Sequence, residues 1–580
     1  WIGTESQAAP LTLKRGAFVT MSVTLCPATL HLSTAVVTSV SEPSITNVQE
    51  AGVDEGGLVK RSGDHLVILR RGRLYTVRVG DDSLRRAYAT NAFAPGLKVD
   101  GDWYDEMLVA HGRVIVIGYS YERGGTEIGL FRVDGDGRLT FEDTYHLRSW
   151  DYYSSRNYAA RLIDSTLVFY TPGALPSDWR EGAPAMRRWS SDTAARAFVP
   201  TANPTQVYRV RGARPHVTEW ASHAVTTCTI TARPLRCTSR VVIGGASRSF
   251  YVSRRAVYVW MSAAKENRNS GVDSRLVRFP LDSGAPSAIR TSGLPVDQFS
   301  FAEQADGTLF AVVSATARGD GMWAAERGAS TFGLLRVDAR SFGAGRAITP
   351  PERTRPITVS SPGTAINRFV GDRLLLSTVD YRHLETGAVT VVPLNGGTIS
   401  LFSLPHPVDR IEALGRSALL VGTRAPNRRH TLSAAALGLT TASLGREPAL
   451  GGTTFLAQTA ESEDRSHAFF FRATSDSTGT LALPIWTTAS DTSPWTGQLQ
   501  FFDVHSRTLS AVGALTSLPS EVAQCVASCV DWYGNSRPIF LGTRLLGLLG
   551  DEIVEGMRHD GRVVVRRRIT FADPPQPEPR

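Results

Sequence analysis

Nine short apolar runs recur along the chain, most of them behind a tight polar turn: HLVILR at 65–70, RVIVIGYSY at 113–121, TLVFYTP at 166–172, AVYVWMS at 256–262, TLFAVVS at 308–314, RLLLSTV at 373–379, SALLVGT at 417–423, TLALPIW at 480–486 and RLLGLLG at 544–550. The runs are continuous rather than alternating. A strand reads that way when both of its faces are buried. Around each run the same order returns: an apolar strand, the run itself, a third apolar strand and a more polar fourth. Self-similarity of this kind marks a repeat architecture. Glycine (52) and proline (31) are spread along the chain as punctuation between short strands.

These features predict an all-β chain built as a single large β-propeller of four-stranded blades. Stacked blades bury both faces of each sheet, whereas a two-sheet sandwich would alternate inside and outside residues. Nine blades is the count, and eight follows if one unit belongs to another. No long helical period supports an α/β fold; residues 519–533 are the one segment compatible with a short helix. The predicted layout is an N-terminal strand or edge segment over 1–45, the propeller over 46–570, insertions at 172–204 and 424–465, and a Pro-rich tail at 571–580 that cannot pack. The moderately apolar stretch 17–40 is expected to lie against the last unit or cap the first blade, in a closure joining the chain's two ends.

The chain carries 63 basic and 54 acidic residues, a net charge of +9, and only four of the cations are lysines. An arginine-rich surface attracts anions. Its basic residues sit in pairs and in the triplet Arg566-Arg567-Arg568, the pattern of solvated strand ends, so nucleic acid is not the expected partner. Of five cysteines, Cys228 and Cys237 flank the hairpin CTITARPLRC, and Cys525 and Cys529 are neighbours in QCVASC. Two local disulfides would place the protein in an oxidising compartment. No apolar run is long enough for a membrane span. The first residue is Trp1, so the expectation is a secreted, periplasmic or envelope protein whose export signal has been removed.

The segment TNVQEAGVDEGGLVK at 46–60 resembles the entry motif of a secreted bacterial β-propeller family distantly related to WD-repeat propellers. Thr46, Asn47, Gln49, Gly52, Val53, Asp54, Glu55, Val59 and Lys60 carry the likeness. VDQFSFAE at 296–303 is similar to a second family segment through Gln298, Phe299, Ser300 and Glu303. SHAFFF at 466–471 resembles a third, with its histidine one place out of register. The resemblance implies fold and export, and no activity. On the residues alone, Gly52, Asp54 and Glu55 read as a structural turn whose carboxylates cap backbone amides, ahead of a catalytic acid pair.

Enzyme signatures are sparse: there is no Gly-x-Ser-x-Gly elbow and no His-Glu-x-x-His helix. VDGDGRLTFED at 133–143 would hold calcium only with a glutamate at the twelfth loop position, and Glu142 falls at the ninth. It reads as a type I′ hairpin. No cofactor is expected, with calcium the one left open. Eight of the 15 tyrosines fall between Tyr104 and Tyr170, densest in HLRSWDYYSSRNY at 146–158. Arg148, Trp150, Asp151, Tyr152, Tyr153 and Arg156 are the candidate ligand-binding residues, because flat rings beside arginine suit sugar or peptide recognition. The reading is a non-catalytic binding or scaffold module for an extracellular or envelope polymer or protein, an acidic polysaccharide among them. The alternative is a hydrolase or lyase with its site at the central channel.

Overall fold

The computed structural model describes residues 22–25, 28–31, 44–150, 160–174, 182–190, 197–210, 220–245, 247–262, 273–282, 284–314, 331–348, 353–425, 434–463, 465–475, 478–489, 496–518, 525–530 and 534–572. The chain forms two compact units, Trp1–Ser44 and Ile45–Arg580. In the first, Ser22–Leu25 pairs antiparallel with Ala28–His31.

The second unit is a β-propeller. Its described strands make nine successive antiparallel four-stranded blades, over 59–91, 103–147, 160–245, 247–292, 301–357, 364–404, 410–457, 470–516 and 536–570. Each apolar run of the sequence is the second strand of one blade. His65–Arg70, Ala256–Ser262 and Leu309–Ser314 are buried along their whole length. Alternate side chains serve opposite neighbours: Leu66 and Ile68 face blade 9, while Val67 and Leu69 face blade 2. Both faces must therefore be apolar, and this removes the alternation expected of a half-buried strand.

The packing decides the blade number. Nine clusters of buried apolar side chains each join two consecutive blades, and the ninth joins blade 9 to blade 1. Among the described strands, none from the chain's N-terminal part joins the sheet of blade 9, and most of the stretch 17–40 lies outside the described residues. Blade 9 takes its four strands from 536–570 and blade 1 from 59–91. Face packing and ion pairs close the ring instead, with Arg70 Nε 2.9 Å from Asp551 Oδ1, both buried, and Arg566 2.6 Å from Asp82.

Three sequence expectations are corrected here. Residues 424–465 are not an insertion: Ala436–Ser443 and Ala449–Ala457 are the outer strands of blade 7. Their Ala, Gly and Thr lack the bulk that marks a strand, yet Ala436–Ser443 is buried between its neighbours. Phe571 and Ala572, read as tail, are buried in the blade 9–blade 1 cluster, with Phe571 5.1 Å from the Tyr75 ring. Of the segment 519–533, residues 525–530 are bends rather than helix, tied by a disulfide from Cys525 to Cys529, and the rest lies outside the described residues.

The excursion within 172–204 leaves blade 3 after its second strand. Ala185–Arg188 then pairs with the outermost strand of blade 2, and Val199–Pro200 pairs with Ala185–Arg188. Cys228 and Cys237 sit directly opposite each other on adjacent strands of blade 3 and form the second disulfide. At 134–138 only Gly137 has positive φ, so the hairpin is a type I turn with a left-handed glycine, since type I′ needs two such residues. Asp134 Oδ1 accepts the amides of Asp136 and Arg138.

Phe571→Ala is expected to cost about 3–5 kcal/mol, the usual cost of emptying a buried aromatic site. Chemical denaturation measures it. An unchanged midpoint would show that closure does not depend on this residue.

Candidate functional site

Two polar assemblies stand out: one in the channel at the centre of the ring, one on the rim of blades 2 and 3.

The channel is crossed by the segment at 45–57, called the strap below. Gly52 takes φ +80°, a conformation that favours glycine, and there the chain turns. Asp54–Glu55 then pairs with Ala160–Ile163, the innermost strand of blade 3, and Gly57 bridges to Met107 of blade 2. Two short 3-10 turns from distant blades receive the strap. Gln298–Ser300 precedes the innermost strand of blade 5, and Ser466–Ala468 interrupts that of blade 8. Asn47 Nδ2 donates to Ser466 O (2.9 Å), and Gln49 Nε2 donates to Gln298 O (2.7 Å).

Glu55 is the buried hub of this network. Its Oε2 lies 2.7 Å from His467 Nε2, its Oε1 accepts Gln49 N–H, and Arg161 Nε is 3.8 Å away. Arg161 also donates to Gln298 Oε1 at 2.6 Å. Lys60 Nζ binds Asp54 Oδ1, Glu55 O and Thr46 Oγ1. Further round, Arg410 is paired with Glu412 and Glu461, and Arg537 with Glu463. Asn47 Nδ2 donates to Glu412 as well. The segments that resemble family motifs at 46–60, 296–303 and 466–471 thus meet in space. His467, displaced by one place in the sequence comparison, is the residue that reaches Glu55.

Beside the strap, Gln49, Glu50, Phe299, Phe301, Glu303 and Arg368 line a cavity of about 210 Å³. Tyr251 OH donates to Glu50 and accepts Glu303 N–H.

The rim is built at one end of blade 2. The turn at 121–124 joins its second and third strands, and 148–150 leaves its fourth at the same end. Tyr119 OH donates to Ser149 O (3.0 Å), Trp150 N–H to Pro172 O (3.1 Å), and Arg148 N–H to Ala185 O (2.8 Å). Tyr121 is 60% exposed and Trp150 46%. Beneath them Tyr104 OH donates to Glu127 Oε1 (2.9 Å), and His146 Nε2 lies 3.0 Å from Glu127 Oε2. Arg123 pairs with Asp102 and Glu127, and its Nε is 3.2 Å from His146 Nε2. Of the predicted ligand-binding residues, Arg148 and Trp150 lie on this rim. Asp151, Tyr152, Tyr153 and Arg156 lie outside the described residues. Tyr121 belongs to the tyrosine concentration of the sequence, whereas Arg187 and Phe198 were not found as rim partners, because they arrive on the excursion from blade 3.

A family model described as a beta propeller domain matches residues 43–332, half of the chain. The chain belongs to this family. The crystal structure of a eukaryotic initiation factor is 10% identical to this propeller, covering 80% of this chain and 96% of that one with a TM-score of 0.34. An ulvan lyase, from a new family of polysaccharide lyases, is 8% identical, covering 61% and 91% with a TM-score of 0.29. No curated protein matches the chain.

Charge in the propeller's channel is balanced locally. Burial alone would raise the Glu55 carboxyl, but Arg161 and His467 outweigh it and hold it at about 2. Burial lowers His467 to about 4 against the pull of Glu55, so at neutral pH a neutral imidazole donates to a carboxylate. Glu50 is raised, first by burial and then by Glu303, while Tyr251 opposes the shift. Among the described residues no three His, Cys, Asp or Glu side chains converge as metal ligands would. No described helix is long and apolar enough to cross a membrane.

Both shifts at the hub act in one direction. Folded-state values below the unfolded ones mean that the unfolded chain binds more protons as pH falls. Stability should therefore drop between about pH 6.5 and 4 as His467 titrates, and again between about 4.5 and 2 as Glu55 does. Melting temperature against pH tests this, with His467→Gln expected to flatten the upper limb. Glu55→Gln removes the buried carboxylate that faces Arg161 and His467 and is expected to cost about 3–5 kcal/mol.

Proposed function

We propose that this chain is an exported binding or scaffold module of the secreted bacterial propeller type, and that its recognition face is the rim of blades 2 and 3. One observation carries the reading. Tyr121 and Trp150, two large aromatic side chains, stand exposed at the same end of one blade, above a buried network of Tyr104, Glu127, His146, Arg123 and Asp102. Rings held by a rigid polar base present apolar area at little entropic cost, which suits a polymer or protein partner. The strap's Gly52, Asp54 and Glu55 serve structure, because each channel charge named above faces a partner from the chain itself. Two disulfides support an oxidising compartment outside the cytosol.

A second reading has one observation in its favour. Glu50, raised by burial, and Glu303 line the same cavity beside Arg368. A raised carboxyl beside a second one is the pairing that acid–base hydrolysis uses.

Tyr121→Ala with Trp150→Ala should leave the melting temperature nearly unchanged, since exposed rings contribute little to the core, and should abolish retention on isolated cell-envelope polymer. Full retention by the double variant would remove the rim from consideration. Glu50→Gln separates the second reading, because loss of a hydrolytic product with folding intact is expected only if that cavity is catalytic.

A further inference from the structure

The hairpin at 230–235 joins the third and fourth strands of blade 3, Trp220–Thr229 and Arg236–Gly245, and the Cys228–Cys237 disulfide locks its base. It is pinned to blade 2. Leu235 N–H donates to Tyr145 OH at 3.0 Å, and the buried Arg113 donates to Ile230 O. Between hairpin and blade lies a cavity of about 210 Å³, and Arg113, Glu142, Asp143, Arg188 and Arg233 all line it. Blade 2, the strand Ala185–Arg188 of the excursion and the hairpin each contribute to this one space.

The cavity gathers more cations than it neutralises. Three guanidinium groups share the Glu142 carboxylate: Arg113 at 2.9 Å, Arg132 at 3.1 Å and Arg233 at 2.5 Å. Arg188 Nε lies 2.7 Å from Asp143, whose carboxylate also accepts Tyr145 OH. Four guanidinium groups thus meet two carboxylates, which leaves two positive charges over. One arginine would be enough to satisfy Glu142 and hold the hairpin. The carboxylate oxygens are spent on these contacts, but the arginines are not. Arg188 bonds through Nε, and Arg233 through one Nη, so among the described residues each keeps Nη donors that nothing accepts. Their side chains are 48% and 60% accessible, which leaves the cavity open to a solute.

We infer that this cavity binds a small phosphate monoester, with Arg188 and Arg233 as hydrogen-bond donors and Arg113 as a fixed charge behind them. The site is separate from the rim reading and does not rest on it. An excess of two positive charges matches a phosphate monoester, which carries about −1.5 to −2 at neutral pH, better than the single charge of a carboxylate. Guanidinium groups suit phosphate oxygens because their forked donors fit them in parallel pairs. The cavity is far larger than the roughly 10–15 Å³ that one water needs, so it admits part of the molecule that bears the phosphate. Leu130, Pro234 and Leu235 line the remaining wall and offer apolar surface to that body.

Calorimetric titration of the full chain with glucose 6-phosphate, glucose 6-sulfate, glucuronate, glucose and inorganic phosphate tests this. Glucose 6-phosphate should bind, and glucose should not. The sulfate and glucuronate, with one charge each, should bind about tenfold more weakly. Arg188→Gln/Arg233→Gln should lose about tenfold for glucose 6-phosphate. Its melting temperature without ligand should stay nearly unchanged, because Arg113 and Arg132 remain on Glu142 and Tyr145 on Asp143. Arg382→Gln, at an exposed arginine of blade 6, should change nothing. Equal binding of glucose and its phosphate, no binding of any of them, or equal affinity of the double variant and the unaltered chain overturns the site. Equal affinity for the sulfate or glucuronate overturns the phosphate assignment, and equal affinity for inorganic phosphate overturns the role of the apolar wall. Tyr121→Ala with Trp150→Ala should leave glucose 6-phosphate bound as before, so this site and the rim stand or fall separately.

Discussion

A buried carboxylate at the centre of a ring is the constraint on which this structure turns. Nine blades leave a channel that their own innermost strands do not fill, and Glu55 sits in it, removed from water. Isolated, such a charge would cost far more than a domain's net stability. It is tolerated because blade 3 supplies Arg161, blade 8 supplies His467, and the strap's own Gln49 supplies an amide. Each partner holds the strap at one point, and together they set its path. The neighbouring pairs Arg410–Glu412 and Arg537–Glu463 extend the same logic around the channel. Blade packing gives the ring its cohesion; the ionic network gives its centre one arrangement.

What could be read from the sequence followed from how locally each feature is written. All nine second strands were visible because a strand buried on both faces has only one kind of sequence. The outer strands of blade 7 were not: ALGLTTAS and ALGGTTFLA carry small residues that read equally well as loop. The two disulfides were readable because each pair is close in the chain and one lies across a hairpin. The channel network was not. Glu55 and His467 are separated by 412 positions and Gln49 and Gln298 by 249, and a single sequence does not record which distant polar groups meet. Resemblance located three motif segments without saying that they touch. On the rim, Arg148 and Trp150 were found by density. Phe198 and Arg187 escaped because they reach the rim on a strand excursion that attaches itself to the preceding blade.

That excursion belongs to a wider solution of the edge problem. Every blade ends in an outer strand whose backbone could pair with another chain. Val199–Pro200 and Ala185–Arg188 cover blade 2, Val207–Arg209 covers blade 3, and Ala344–Ile348 covers blade 4. Blades 8 and 9 meet at their edges, where Gly513 pairs with Val563. A side chain at Gly513 would strike Val563 O at 2.3 Å, so that contact needs a glycine. Covering an edge and delivering Arg187 and Phe198 to the rim are therefore one structural act, and the candidate binding surface is a by-product of protecting a sheet.

The strap also sets an order of events in time. A ribosome releases Glu55 412 residues before His467. Through the making of seven blades the carboxylate has no histidine to receive it. Contacts of such long sequence separation form late and slowly, because the intervening chain must be organised first. Two contacts of the earliest segment of the propeller, Asn47 to Ser466 and Glu55 to His467, therefore wait for one of its last blades. The seat of the strap is therefore complete only when the eighth blade has been added to the ring.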